Sequence, residues 1–217
     1  MATLDTPSPP IENRASALGD DKIAVVVLAA GASTRMDGHI KQLLPWRGRT
    51  LIENAIALAQ HSRADETLVV LGAHADLIRP LVARTGARLV INAEWETGQA
   101  SSIRAGVDAL TPDTAAVIFV NADQPFLTSA VIDALIARYR ATAAPLIAAM
   151  FSGRRGNPAL FARVHFAELK NLRGEQGGRA LFARYPVVCV EFDDARLGID
   201  LDTFQEYAEQ ASSNGDF

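Results

Sequence analysis

The run Leu28-Ala29-Ala30-Gly31-Ala32-Ser33-Thr34-Arg35-Met36, followed by Lys41, sets small residues directly before two cations. Small side chains let backbone N–H groups approach a bound anion closely, so such a turn can act as an anion nest. Arg35 and Lys41 then supply positive charge for phosphate oxygens. The spacing matches neither Gly-x-Gly-x-x-Gly nor a Walker A loop, because the second glycine and the Gly-Lys-Ser/Thr end are absent. A tight strand-to-helix turn carrying two surface cations would use the same residues.

Two acidic positions complement this loop. Val120-Asn121-Ala122-Asp123-Gln124-Pro125 is an apolar strand that ends in an aspartate. A carboxylate there, together with phosphate oxygens and waters, is the usual protein share of a Mg²⁺ site; a plain loop or capping aspartate would read alike. In Gly198-Ile199-Asp200-Leu201-Asp202-Thr203, Asp202 or Asp200 could join Asp123 around one metal. Taken alone, helix capping explains these two aspartates better.

The other chemistry-bearing residues are read more plainly. Trp46 and Trp95 could stack on a base, but large aromatics near loops are more often packing anchors. Arg154, Arg155, Arg173 and Arg179 could meet an anionic substrate, Arg179 best of all because it closes a Gly-Gly-Arg patch. Cys189 lies in an apolar strand and reads as core. The four histidines show no i, i+4 pairing, so an imidazole metal site is not expected.

The elements that must position these groups alternate. Ile23–Leu28 is a continuous β-branched run without alternation, which predicts a strand buried on both faces of a parallel sheet. Thr50–His61 has helical periodicity; strand Glu66–Gly72, helix Ala75–Arg84, strand Ala87–Asn92, helix Ser101–Leu110, strand Ala115–Val120 and helix Thr128–Ala141 follow, with Thr128 or Ser129 as cap. Strands Pro145–Phe151 and Val187–Phe192 enclose two glycine-rich patches, Gly153–Pro158 and Leu172–Arg179, and a short helix near His165–Leu169. The patches read as a lid on the acceptor side of an extended sheet. This spacing predicts an α/β, three-layer, mostly parallel sheet in one domain, with ligands outside the strands' carboxyl ends.

Composition sets outer bounds. The 217 residues suffice for one sizeable core, and 49% hydrophobic with 21% charged residues is ordinary for a globular enzyme. A formal charge of −4 argues against a nucleic-acid binder. One cysteine excludes an intramolecular disulfide. Residues 1–21 read as a mobile leader without signal-peptide features, 22–210 as the catalytic domain and 211–217 as a tail. No apolar run approaches membrane-spanning length, so a cytoplasmic protein without a membrane partner is expected.

Several dispersed motifs in fixed order are more specific than any one. LAAGASTRM…KQLLPW, Gly98-Gln99-Ala100-Ser101-Ser102-Ile103, Asp123-Gln124-Pro125, Gly156-Asn157-Pro158, Leu172–Arg179 and Asp200-Leu201-Asp202-Thr203 resemble the molybdopterin nucleotidyltransferase family. Within it the chain most resembles the molybdenum cofactor cytidylyltransferases, from about Lys22 to about Gln210.

The resemblance implies a Rossmann-like nucleotidyltransferase fold. Leu28, Ala29, Ala30 and Gly31 would line base and ribose, with Ser33 in the same loop. Gln99, Ser101 and Ser102 would help hold the nucleoside. Arg35 and Lys41 would meet the triphosphate, and Asp123, Asp202 and Asp200 the Mg²⁺. Gly156, Asn157, Pro158, Gly174, Gly178 and Arg179 would face the acceptor. LAAG, where guanylyl-transferring relatives usually carry LAGG, favours CTP, with the Ala30 methyl narrowing the pocket. The implied reaction moves CMP from CTP to the phosphate of molybdenum cofactor and releases pyrophosphate, with a molybdoenzyme as recipient. Another NTP, a sugar or polyol phosphate acceptor, or a non-catalytic cofactor chaperone are the alternatives. Two positions differ from the family pattern: Asp37 lengthens the loop tip by one residue, and Glu175 replaces a customary aspartate.

Overall fold

The β-branched run near the start forms β1 (Lys22–Ala29), and Ile23 through Val27 are wholly buried. Burying each such side chain contributes about 1.5–3 kcal/mol, so this strand anchors the molecule. The computed structural model describes residues 20–214, with no side-chain account of 213 and 214; nearly all of the expected leader and part of the tail lie outside that range.

A small hairpin of β2 (Pro45–Trp46) and β3 (Arg49–Thr50) follows the glycine loop. Its two turn residues, Arg47 and Gly48, have φ of 49° and 76°, the pairing that a two-residue turn matched to strand twist requires. Thr50 then caps α1 (Leu51–Gln60): its hydroxyl accepts from Glu53 N, and the Glu53 carboxylate accepts from Thr50 N. β4 (Glu66–Leu71), α2 (Ala75–Ala83), β5 (Arg88–Ile91), α3 (Gln99–Asp108), β6 (Thr114–Asn121) and α4 (Ser129–Thr142) complete the alternating half. The helix expected from Ser101 begins two residues earlier, which brings Gln99 to its first turn. Thr128 stands at the cap position of α4 without a capping side-chain bond.

The last third holds β7 (Leu146–Phe151), β8 (Arg154–Ala162), α5 (Phe166–Lys170), β9 (Val188–Phe192) and α6 (Phe204–Asn214). Here one expectation fails. Gly153–Pro158 is no lid patch: Ser152 and Gly153 turn a tight hairpin, and the rest pairs as β8 between β6 and β7.

The seven-stranded sheet runs β5-β4-β1-β6-β8-β7-β9, with only β8 antiparallel to its neighbours. Alternate β1 residues feed the two faces. Ile23, Val25 and Val27 pack with α1, α2 and α4, whereas Ala24 and Val26 pack with α3 and Leu169 of α5. A smaller third cluster, with Met36, Trp46, Leu51, Leu201 and Tyr207, fastens α6 beneath the glycine loop and hairpin. The architecture is therefore the expected three-layer, mostly parallel, Rossmann-like α/β domain. Among the described residues no helix is long and apolar enough to cross a membrane.

Candidate active site

Chain direction places the site. From β1 the chain crosses to β4 on one side, while β6 lies on the other, so a crevice opens where the crossovers diverge. Leu28 pairs in register with Asn121, and Ala122 N donates to Leu28 O at 3.2 Å. The loop after β1 and the Asp123 turn after β6 therefore leave adjacent strand ends together. They border a cleft of about 450 Å³, lined by Leu28 through Met36, Lys41, Gln99, Ser102, Asp123 and Asp202, among others.

The loop is held by a residue that sequence reasoning quoted without assigning a role. Gln42 is buried and its amide donates to Ala29 O at 3.2 Å and Gly31 O at 3.1 Å. Its carbonyl accepts from the Ser33 hydroxyl at 3.1 Å, and that hydroxyl accepts from Lys41 N at 3.0 Å. Ser33 thus lines the cleft while its hydroxyl closes the loop. Asn92, also missed, does the same at the opposite wall: its amide donates to Ser101 at 2.8 Å and Ser102 at 3.0 Å. Ser101 is buried and donates to Gly98 O, so it supports the wall; Ser102 and Gln99 face the cleft.

The charged groups converge as the resemblance implied. Lys41 Nζ lies 2.8 Å from Asp123 and 3.8 Å from Asp202, and Arg35 lies 3.2 Å from Asp202. Leu201 N donates to Asp123 O, which fastens the Asp200–Asp202 segment to the β6 turn. The capping explanation for the two aspartates does not hold. Thr203 and Glu206 cap α6 instead, with Glu206 accepting from Asp202 N and Thr203 N. The Asp202 carboxylate is left to meet the cations, and Asp200 is half-buried with its Oδ1 fully enclosed, close enough to feel the Asp123 charge. Burial first, then the Asp123 charge, pushes the Asp200 carboxyl up to about 6.

Buried Asp123 Oδ1 and Asp200 Oδ1 have no hydrogen-bond partner. Orphaned hard oxygens of this kind fit a divalent cation. Among the described residues no three side chains form a complete metal cage.

The remaining candidates separate. Trp46 is buried packing, as expected. Trp95 is half-buried and lines the cleft, so the packing reading was incomplete. Cys189 is half-buried on the edge strand β9, not core. Of the acceptor set, Gly156 and Arg179 line a neighbouring cleft. Asn157 and Pro158 form a cis peptide inside β8 whose Asn157 carbonyl accepts from Gln124. Gly178 lets Phe161 pack closely, since a Cβ there would sit 2.6 Å from the ring. Gly174 abuts Gly98 beside the loop-lined cleft, and its carbonyl accepts from Ala100 N. Arg173 is turned onto the carbonyls of Lys170 and Leu172.

A doubly wound sheet whose switch-point cleft is bordered by a small-residue loop and carboxylates is an arrangement suited to a nucleotide. Residues 25–189 match the MobA-like NTP transferase domain, and the chain belongs to that family. A curated relative, nicotine blue oxidoreductase of Paenarthrobacter nicotinovorans, is 31% identical over 191 residues, covering 83% of this chain and 92% of that protein. The crystal structure of a homolog of Mycobacterium tuberculosis Rv0371c, from Mycobacterium sp. strain JC1, superposes with a TM-score of 0.79 at 29% identity, covering 89% of this chain and 97% of that one. Rv0371c from M. tuberculosis H37Rv, solved in complex with manganese, gives 0.75 at 27% identity over 88% and 99% of the two chains.

Proposed function

We propose that this protein transfers CMP from CTP to the phosphate of a molybdopterin-type acceptor, releasing pyrophosphate. The observation that carries this reading is the convergence of Asp123 and Asp202 with Lys41 and Arg35 in the loop-lined cleft, with the Asp200 carboxyl close enough to feel the Asp123 charge. Leu28 to Gly31, Gln99 and Ser102 are assigned to the nucleoside, and Lys41 and Arg35 to the triphosphate. An acceptor phosphate oxygen forms the new bond at the α-phosphorus. The bond to the bridging oxygen breaks, and its electron pair leaves on pyrophosphate. The attacking oxygen is already anionic near neutral pH, so no protein base is needed. Asp123 and Asp202 would hold Mg²⁺, which supplies charge neutralisation when bound. The chain's own part is positioning, plus neutralisation by Arg35 and Lys41.

A second reading follows from the name of the relative that is 31% identical, an oxidoreductase. The carboxylate–cation cluster speaks for phosphoryl chemistry instead. One screen separates the readings: four NTPs with Mg²⁺ against molybdenum cofactor and simple phosphorylated acceptors, scored for pyrophosphate, with NADH and NADPH oxidation scored in parallel. Pyrophosphate from CTP and molybdenum cofactor is the expected result. Pyrophosphate only with a sugar or polyol phosphate would replace the acceptor. Reduced-nicotinamide oxidation without pyrophosphate would sink nucleotidyl transfer.

A further inference from the structure

Beyond Asp200 lies a second cleft, of about 440 Å³, whose walls include Arg154, Arg155, Arg179 and Arg196 with Gly156 and Asp200. Asp200 borders this cleft and feels the charges of Asp123, which lines the first cleft, and of Arg179, which lines this one. The Phe151 ring supplies an apolar surface in this cleft. That ring is itself buried: a Cβ on Gly156 or Gly198 would come within 3.1 or 2.5 Å of it, so glycine at both positions lets the backbone pack onto the ring and form the floor of the cleft.

The four guanidiniums are not equivalent. Arg196 is committed, its Nε and Nη2 meeting the Asp194 carboxylate at 3.0 and 2.8 Å. Among the described residues, Arg154, Arg155 and Arg179 form no ion pair within 4 Å. Arg155 rests 5.8 Å from the centroid of the Phe182 ring, a contact that orients the group and leaves its charge uncompensated. Arg154 is the first residue after the tight Ser152–Gly153 turn, where both φ values are positive. A lone exposed arginine is unremarkable. Arg179 is offset in part by Asp200, which leaves Arg154 and Arg155 as two uncompensated guanidiniums on the same concavity; together they call for more negative charge than one phosphate supplies.

We propose that the acceptor carries two separated anionic groups: the attacking phosphate near Asp200 and Arg179, and a second anion seated on Arg154 and Arg155. This inference rests on the nucleotidyl-transfer reading and narrows its acceptor class. The second anion takes no part in bond making or breaking; it orients the acceptor so that its phosphate oxygen faces the α-phosphorus.

The test uses the full chain and three probes on one carbon skeleton: glycerol 3-phosphate, 3-phosphoglycerate and glycerol 1,3-bisphosphate. Binding of each is titrated calorimetrically with Mg²⁺, alongside CTP itself. One charge-assisted fork makes the two-anion probes bind about tenfold or more tighter than glycerol 3-phosphate. Comparing 3-phosphoglycerate with the bisphosphate tells whether the second anion is better met as a carboxylate or a phosphate. In Arg154→Ala/Arg155→Ala the gap closes, whereas Arg154→Lys/Arg155→Lys keeps part of it because charge remains while the fork is lost. Matching circular dichroism and melting curves show that each variant is folded. Equal binding of all three probes while CTP binds overturns the two-anion acceptor and leaves nucleotidyl transfer standing. A gap that survives in the alanine variant overturns it as well. Failure of CTP–Mg²⁺ to bind overturns the functional reading, and this assignment with it.

Discussion

The two clefts on either side of Asp200 are built by opposite means. The nucleotide-side cleft is made of backbone: Leu28 to Gly31 present main-chain groups, and their shape is set by buried amides, Gln42 on one wall and Asn92 on the other. The arginine cleft is made of exposed side chains on a hairpin and on the 3-10 turn Gly178–Ala183. A nucleotide has fixed phosphate geometry, which rewards a rigid cradle; long cations on a hairpin can follow a more variable partner. On this view the fold commits its buried hydrogen bonds to the invariant substrate and leaves the acceptor to replaceable surface residues.

The sharpest way to break that comparison is to neutralise the carboxylate of the loop-lined cleft that pairs with Lys41. Asp123→Asn keeps size and loses charge, and kcat measured by pyrophosphate release should fall on the order of 10³-fold. Near-normal turnover with Mg²⁺ would show that Asp123 has no place in the chemistry. Next in size is Gln42→Ala, which touches no reacting atom. It strands the carbonyls of Ala29 and Gly31, each costing about 1–3 kcal/mol if left buried and unpaired. The CTP dissociation constant should rise about tenfold or more, with a lower melting temperature, while affinity for 3-phosphoglycerate holds. If both affinities fall together, the clefts are not independently built.

Legibility followed the same division. β1 announced itself because a strand buried on both faces has no polar alternation, and its loop and the Asp123 turn follow from where parallel strands end. Family motifs then gathered Arg35, Lys41 and Asp202, which are distant in sequence and whose meeting no local pattern encodes. What failed was local reading where glycine served packing. Gly178 and Gly156 make room for Phe161 and Phe151, and Ser152–Gly153 turns a hairpin, yet by sequence these glycines read as two patches of an acceptor-side lid. Capping, the better explanation of Asp200 and Asp202 taken alone, falls instead to Thr203 and Glu206, an equally good capping pair one step along the chain. Gln42 and Asn92 carry no sequence mark, since a buried amide and an exposed one share the same letter. Arg196 joined its cleft through tertiary folding alone.

Asp200 offers a subtler break, because it lines the arginine cleft while feeling the Asp123 charge from the other. Its folded carboxyl titrates at about 6 rather than the ordinary 3.8, so between those values the native state binds more protons than the unfolded chain. Stability of the ligand-free protein therefore falls as pH rises from about 4 to about 6, and by linkage the loss is on the order of 1–2 kcal/mol after allowance for solvent screening. Asp200→Asn should flatten that slope in thermal melts across pH 4–7 and melt higher than wild type at pH 7. Unchanged slopes would mean that Asp200 is hydrated and not pressed against Asp123.

The smallest effect concerns the base. A Cβ on Gly72 would lie 2.9 Å from the Ala30 methyl and 2.6 Å from Trp95 Cβ, so both crowd the same glycine at the end of β4. Ala30 is almost fully buried, which means that its methyl is packed into the wall next to Trp95 instead of projecting freely into the cleft. Any selection it exerts on the base acts through that wall. Ala30→Gly should accordingly loosen the wall and relax CTP-over-GTP discrimination by a modest factor, roughly three- to tenfold in kcat/KM, as expected for one methyl group in a pocket. Trp95→Ala should relax it further and also raise the CTP dissociation constant, because it removes a surface of the cleft as well as its spacing. If Ala30→Gly changes nothing while Trp95→Ala changes both quantities, the tryptophan alone sets the base pocket, and the methyl serves only to fill the space beside Gly72.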